Sequence, residues 1–197
     1  MTSNFKEFAS DSLQPKEFSF TAENLREAKI VLKRYPKDYP EGALMPLLTL
    51  AQKQSKGWLP KKAIEYIASF LKVSEIKVLE IATFYSMYNL SPVGKNHIEV
   101  CTTTPCMLRG SDDILKVCEK FLNINSGSVS KDKRFSLTEV ECLGACVNAP
   151  VIKIDQDYFE DLDSKSTLNL LDSLAENKTV KKGSQIMRRG NEPVRRK

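Results

Sequence analysis

The sequence predicts an α+β chain: an N-terminal helical bundle followed by a mixed α/β domain. Three observations predict it. Between Thr21 and about Leu90, apolar residues recur at the three- and four-residue steps of amphipathic helices. After "SPVGKN", residues 91–96, the pattern changes to short apolar runs of strand length. Beyond that boundary, four of the five cysteines fall in two tight pairs, "CTTTPC" at 101–106 and "CLGAC" at 142–146.

The helical part reads as four short helices. "TAENLREAKIVLKRY" opens on Thr21, a good N-cap, and puts Leu25, Ala28, Val31, Leu32 and Tyr35 on one face. "EGALMPLLTLAQKQSKG" stripes Leu44, Leu47, Leu48 and Ala51 and meets a stop at Gly57. "PKKAIEYIASFL" opens at Pro60, near the first helical position, and stripes Ile64, Ile67, Ala68 and Leu71. "SEIKVLEIATFYSMYNL" begins at Ser74 and carries Val78, Ile81, Ala82 and Tyr85. Short loops between such helices suit a small bundle. Its aromatic residues Phe84, Tyr85 and Tyr88 read first as core, although four short helices leave apolar faces for a partner to cover.

The second part reads β-α-β-β-α. "HIEVC" is a strand ending at Cys101. A helix follows with Thr104 as N-cap, Pro105 at its first position, and Met107, Ser111, Ile114, Cys118 and Phe121 on one face. "NSGSVSKDKR" is a polar connector and "FSLTEVEC" a second strand. "VIKID" and "YFEDL" form a hairpin around Gln156 and Asp157, and "STLNLLDSLAEN" is a final helix. The expected boundaries are a flexible N-terminus at 1–18, the bundle at 19–92, the cysteine-bearing domain at 93–177 and a basic flexible tail at 178–197.

Composition excludes several functions. The net charge of +5 comes from the end of the chain, where Lys181, Lys182, Arg188, Arg189, Arg195, Arg196 and Lys197 face only Glu192, so the rest is near neutral. A basic tail without aromatic residues lacks the stacking and reading groups of a nucleic-acid interface. No run approaches the ~20 apolar residues of a membrane span. The eight glycines form neither a dinucleotide fingerprint nor a phosphate-binding loop. The single histidine, His97, lies inside a strand and has no nucleophile to serve, so no catalytic residue is expected. The first twenty residues contain Glu7, Asp11 and Glu17 and no apolar core, unlike a secretory or transit peptide. A cytoplasmic setting follows, where thiols stay reduced and paired cysteines point to metal or redox chemistry.

Four thiolates can hold zinc, a [2Fe–2S] or a [4Fe–4S] cluster, and they can also form redox disulfides or simply be buried. The gaps inside the pairs, four and three residues, match neither C-x-x-C redox motifs nor the closely packed [4Fe–4S] run. One pair on each of two loops suits a centre with two irons, each held by one pair. The candidate ligands are Cys101, Cys106, Cys142 and Cys146. Gly144 and Ala145 allow close backbone approach, and Thr102, Thr103 and Thr104 offer hydroxyls and amides to an anionic centre. A helix beginning at Pro105 would add the positive end of its dipole beside Cys106. Cys118 shares its helical face with Ile114 and Phe121 and reads as core. A zinc-stabilised interaction module without electron transfer is the competing reading.

With these residues assembled, the chain resembles the thioredoxin-like [2Fe–2S] ferredoxins, and more closely the NuoE family, the small iron–sulfur subunits of respiratory complex I. The resemblance lies in "ALMPLLTLAQKQSKGWLP", "IATFYSMYNLSPVGKNHIEVCTTTPCMLRGSDDIL" and "ECLGACVNAPVIKIDQDYFEDL", and runs from about Phe18 to Glu176. It implies a thioredoxin-like second domain, a cis-proline at Pro150 and one [2Fe–2S] cluster on Cys101, Cys106, Cys142 and Cys146. It also implies that FMN and NADH sit in a partner flavoprotein subunit, with other peripheral-arm subunits nearby. The implied role is one-electron transfer during NADH oxidation by NADH:quinone oxidoreductase, on the cytoplasmic face of a bacterial inner membrane. The same module in a soluble NAD-linked formate dehydrogenase or hydrogenase is the alternative.

Overall fold

Helices occupy the first part of the chain and a mixed sheet the second, in a computed structural model that describes residues 7–190 and 192. The division falls between Val93 and Gly94.

The first unit holds α1 (Ala22–Leu32), α2 (Leu44–Gln54), α3 (Lys61–Leu71) and α4 (Glu75–Phe84). Thr21 caps α1 by accepting from the Asn24 amide at 3.2 Å. Leu47, Leu48, Ala51, Ile67, Ala68, Val78 and Ala82 meet in one core, so the stripes read from periodicity are the faces that pack. Around it Phe18, Phe20, Tyr66 and Phe70 form a chain of edge-on and stacked rings.

Three expectations change here. Residues 7–18, expected to be loosely ordered, are tied down: the Ala9 amide donates to the Leu90 carbonyl at 3.1 Å. Pro60 is the N-cap of α3 and offers no side-chain acceptor, so Gln14 Oε1 takes the Lys61 amide at 3.0 Å from outside the helix. Finally, α4 ends at Phe84, and the three aromatics expected in the core separate. Tyr88 is fully buried and donates to the Met45 carbonyl at 2.9 Å, while Phe84 is 80% exposed and Tyr85 39%. Residues 1–6 lie outside the described residues.

The second unit is a six-stranded sheet in the order β2-β3-β1-β4-β5-β6. Its strands are β1 (Asn96–Cys101), β2 (Ser128–Val129), β3 (Phe135–Val140), β4 (Val151–Ile154), β5 (Asp157–Glu160) and β6 (Gly183–Ser184). β1 runs parallel to β3 and antiparallel to β4, with Ile98 opposite Leu137 and Ile154. The helices are α5 (Thr104–Leu108), α6 (Ser111–Leu122) and α7 (Ser164–Ala175). Asp163 caps α7 in a capping box with Ser166. α6 and α7 cover one face of the sheet, where Ile114, Cys118, Leu170 and Leu171 pack on Ile98, Val100, Leu137, Ile152 and Phe159. Cys118 is core, as expected, and burial pushes its thiol up to about 12.

The helix expected to run from Pro105 to Phe121 is broken. Gly110 takes φ +95°, a left-handed conformation that ends α5 and starts α6 on a new axis. Pro105 therefore sits inside a five-residue helix that begins at Thr104. So short a helix has too few aligned peptides for the expected dipole to matter. The polar connector hides the edge strand β2, too short for periodicity to reveal.

The tail departs most from expectation. Residues 178–190, expected to be flexible, include β6, which pairs parallel with β5, and Arg188, whose guanidinium forks onto Asp161. The basic charge of this segment pointed to solvent, but these residues satisfy an open sheet edge and a buried carboxylate. Residues 191 and 193–197 lie outside the described residues.

The opposite face of the sheet is polar. His97, Glu99, Ser136 and Thr138 are buried there, and Lys153 pairs with Glu99. His97 Nδ1 meets Ser136 Oγ at 2.7 Å. Burial, with Lys153 adding repulsion, lowers the imidazole pKa from 6.5 to about 4. The folded chain thus holds His97 neutral where the unfolded chain protonates it. This stabilisation is complete above pH 6.5 and is lost as pH falls towards 4, by up to about 3 kcal/mol. Replacing the only histidine, His97→Gln, is expected to flatten that part of the stability profile in denaturant unfolding between pH 7 and 4.5. Equal pH slopes for the two proteins would show that His97 titrates normally when folded.

Candidate metal centre

Each pair of cysteines is set by a strand end and the turn beyond it. β1 carries Cys101 to the sheet end, and α5 returns Cys106 beside it. After β3 the chain turns through Cys142 to a 3-10 turn at Cys146–Asn148. The Ala149–Pro150 peptide that follows is cis, as the resemblance implied. The four cysteines come together as an inner and an outer pair. Cys101 and Cys106 are 2% and 1% exposed, packed among Leu143, Ala145, Ala149, Val151 and Tyr158. Cys142 and Cys146 face solvent.

No disulfide links them. Cys142 Sγ and Cys146 Sγ stand 3.3 Å apart. A tetrahedral metal with ~2.3 Å sulfur bonds separates two of its sulfurs by about 3.8 Å, so this outer pair is already near the spacing of two ligands on one metal. Among the described residues, no group of three or more His, Cys, Asp or Glu side chains is arranged to hold a metal ion. Sulfurs grouped in twos fit two irons better than one tetrahedral zinc.

The thiols influence one another across both loops. Burial opposes the Cys101 thiolate. The Thr103 hydroxyl at 3.3 Å, the Leu143 and Thr103 amides and the Cys106 thiol outweigh it and hold Cys101 below the ordinary thiol value. Cys106 is pushed up to about 12 by burial, by its hydrogen bond to Cys101 and by the charges of Cys101 and Cys146, although the Val151 amide favours its thiolate. In the outer pair, the Gly144 amide, 3.4 Å from Cys142 Sγ, lowers Cys142, and the hydrogen bond to Cys142 raises Cys146. Gly144 reaches that sulfur at φ +79°, a conformation costly for other residues, and no atom lies within 4 Å of where a Cβ would stand. Each pair thus contains one thiol biased towards thiolate and one that donates to it. An ion that displaces both protons would leave four thiolates beside backbone N–H donors, the surroundings an anionic iron–sulfur centre needs.

Not every expected donor takes part. Thr103 does, but the Thr102 hydroxyl donates to Glu139 at 2.7 Å. Sequence reasoning missed the Val151 amide and Tyr158, whose hydroxyl holds the Leu143 carbonyl at 3.1 Å. The proline before "VIKI" was the only signal for the first, and nothing in the sequence marked the second.

Residues 28–175 match the family model described as thioredoxin-like [2Fe–2S] ferredoxin. The NADH-quinone oxidoreductase E subunit of Rickettsia bellii is 55% identical over 157 residues, 80% of this chain and 94% of that one. The mitochondrial NADH dehydrogenase [ubiquinone] flavoprotein 2 of Dictyostelium discoideum is 47% identical over 182 residues, 92% of this chain and 74% of that one. In structure, the chain resembles part of an NAD+-reducing [NiFe]-hydrogenase in its air-oxidized state, with a TM-score of 0.56 and 18% identity. That match covers 66% of this chain and 23% of the hydrogenase chain, and it is a likeness of fold. The chain belongs to the thioredoxin-like [2Fe–2S] ferredoxin family, in the group formed by the E subunits of NADH-quinone oxidoreductase.

Proposed function

We propose that Cys101, Cys106, Cys142 and Cys146 hold one [2Fe–2S] cluster, and that the chain relays single electrons in NADH:quinone oxidoreductase. The observation that carries this reading is the convergence of two sulfur pairs, one buried and one exposed, among backbone donors. When bound, the cluster supplies a one-electron redox couple. The protein fixes and tunes it. Leu143, Gly144 and Val151 direct amides at sulfur, Thr103 adds a hydroxyl, and the apolar wall around Cys101 and Cys106 keeps water from the inner pair. The exposed outer pair turns the other side towards a partner.

That partner is the flavoprotein subunit, which binds FMN and NADH, with other peripheral-arm subunits beside it. The names of the bacterial relatives support this assignment, as does a chain without a phosphate-binding glycine loop. This chain contributes no active site of its own. Among the described residues no helix is long and apolar enough to cross a membrane. That suits a protein held peripherally through its complex, on the cytoplasmic face of a bacterial inner membrane.

The test is iron and acid-labile sulfide per chain after anaerobic purification, with an EPR spectrum of the dithionite-reduced protein. About two irons, about two sulfides and an S = ½ signal are expected for a [2Fe–2S] centre. One zinc per chain and no signal would replace the electron relay with a zinc-stabilised interaction module. Co-purification from the native source then identifies the complex.

A further inference from the structure

We propose that residues 183–190 form a clasp that holds the second cysteine loop in its cluster-binding conformation, with Arg188 as the positioning residue. This rests on the cluster assignment above and assigns a role to a segment beyond the family match, which ends at residue 175.

The loop that carries Cys142 and Cys146 has no strand to hold it. Tyr158 secures its start at the Leu143 carbonyl, and the tail secures its end. β6 docks on β5 through Phe159–Gly183 and Glu160–Ser184, and the Gln185 amide donates to the Glu160 carbonyl at 2.9 Å. The chain then turns back, with the Arg188 amide donating to Ser184 Oγ at 3.1 Å. The Arg188 guanidinium makes three connections to the loop and the strand end beside it. Nε donates to Asp161 Oδ2 at 3.0 Å, Nη2 to Asp161 Oδ1, and Nη2 also to the Val147 carbonyl at 3.0 Å. Asn148 closes the ring: its Nδ2 donates to the Gly190 carbonyl at 2.9 Å, and its own carbonyl accepts the Asp161 amide at 2.7 Å. Val147 and Asn148 directly follow Cys146, so the clasp grips the backbone one and two residues beyond a ligand.

The chemistry suits a fixed device. The Arg188 and Asp161 side chains are 9% and 2% exposed. A forked guanidinium fits a carboxylate and a carbonyl together, which an ammonium does not. Without Arg188, the Asp161 carboxylate is buried without its cation, and the turn after Cys146 loses a side-chain donor from the tail. Residues that orient ligands tune metal affinity nearly as the ligands do.

The experiment compares cluster-loaded, full-length wild type with Arg188→Ala and Arg188→Lys. Three readouts are the rate at which an iron chelator bleaches the cluster, the g-values of the reduced EPR spectrum, and amide exchange of residues 142–148. Arg188→Ala is expected to lose its cluster about 10-fold faster, with altered g-values. Arg188→Lys restores charge but not the fork and falls between the two. Wild-type bleaching and an unchanged EPR spectrum in Arg188→Ala overturn the clasp. If Arg188→Ala does not fold, wild type and Arg188→Lys decide it. Protection of 142–148 that weakens in Arg188→Lys supports the clasp, and an unprotected wild-type loop refutes it. A wild-type chain that binds no cluster refutes the preceding reading instead, and the exchange comparison still judges the clasp.

Discussion

Cys142→Ser is expected to empty the metal centre while leaving the fold intact. Serine replaces a soft thiolate with a hydroxyl that stays protonated at neutral pH, so one iron loses half of its protein ligands. The expected readouts are loss of the S = ½ signal and a fall from about two irons per chain to near zero. Cys142 faces solvent, and a surface substitution of this size changes stability by about 0.5 kcal/mol or less. The metal-free variant should therefore unfold at the wild-type denaturant midpoint. Cys106→Ser should lose the cluster as well, but at a second cost. Its side chain is 1% exposed among Ala149 and Val151, and a hydroxyl there costs about 1–3 kcal/mol unless it finds a partner. The inner variant should thus lower the midpoint of the metal-free chain where the outer one does not. Cys118→Ala is the control. Cys118 is fully buried between sheet and helices, so removing its sulfur should destabilise the chain and leave the iron content unchanged. Retention of two irons by Cys142→Ser would remove Cys142 from the ligand set.

How much of this the sequence disclosed depends on the range of the interaction that fixes each element. The stripes through α1 to α3 were legible because one-sided burial imposes their period, and Thr21 and Gly57 marked ends by local chemistry. The cysteine pairs were legible because ligand spacing is local, and their positions at strand ends followed from "HIEVC" and "FSLTEVEC". What depends on distant partners was not. Gly110 breaks a pattern whose apolar residues recur on both sides of it. The α3 N-terminus is capped by Gln14, 47 residues away in sequence. The tail was misjudged for the same reason. Seven basic residues in it read as a solvated segment, because nothing local announces that Arg188 would meet Asp161, 27 residues earlier. Periodicity identified the carrier of the metal centre and could not identify what clamps it.

Gly94→Ala is expected to destabilise the sheet unit severely while sparing the helical one. Gly94 is buried just before β1, and its amide donates to Ser136 Oγ at 3.0 Å. A Cβ built there would stand 2.3 Å from the Phe135 carbonyl carbon, 2.6 Å from the Ser136 nitrogen and 2.7 Å from the Phe135 oxygen. These are backbone atoms of β3, paired on one side with β1 and on the other with β2. A flexible side chain could swing away from a methyl group, but a strand inside a sheet cannot. Relief requires β1 to shift along β3, which breaks the register that sets Asn96 opposite Phe135 and Cys101 opposite Val140. The cost should reach or exceed about 3 kcal/mol, the upper end for overpacked cores, a large part of the ~5–15 kcal/mol that holds a domain together. At a urea slope of ~2 kcal/mol/M, the midpoint followed by cluster absorbance should fall by about 1.5 M or more. The chain's single tryptophan, Trp58, lies in the other unit, so the fluorescence transition should stay near its wild-type position. A wild-type midpoint for the absorbance transition would show that β3 yields to the methyl group without losing its register.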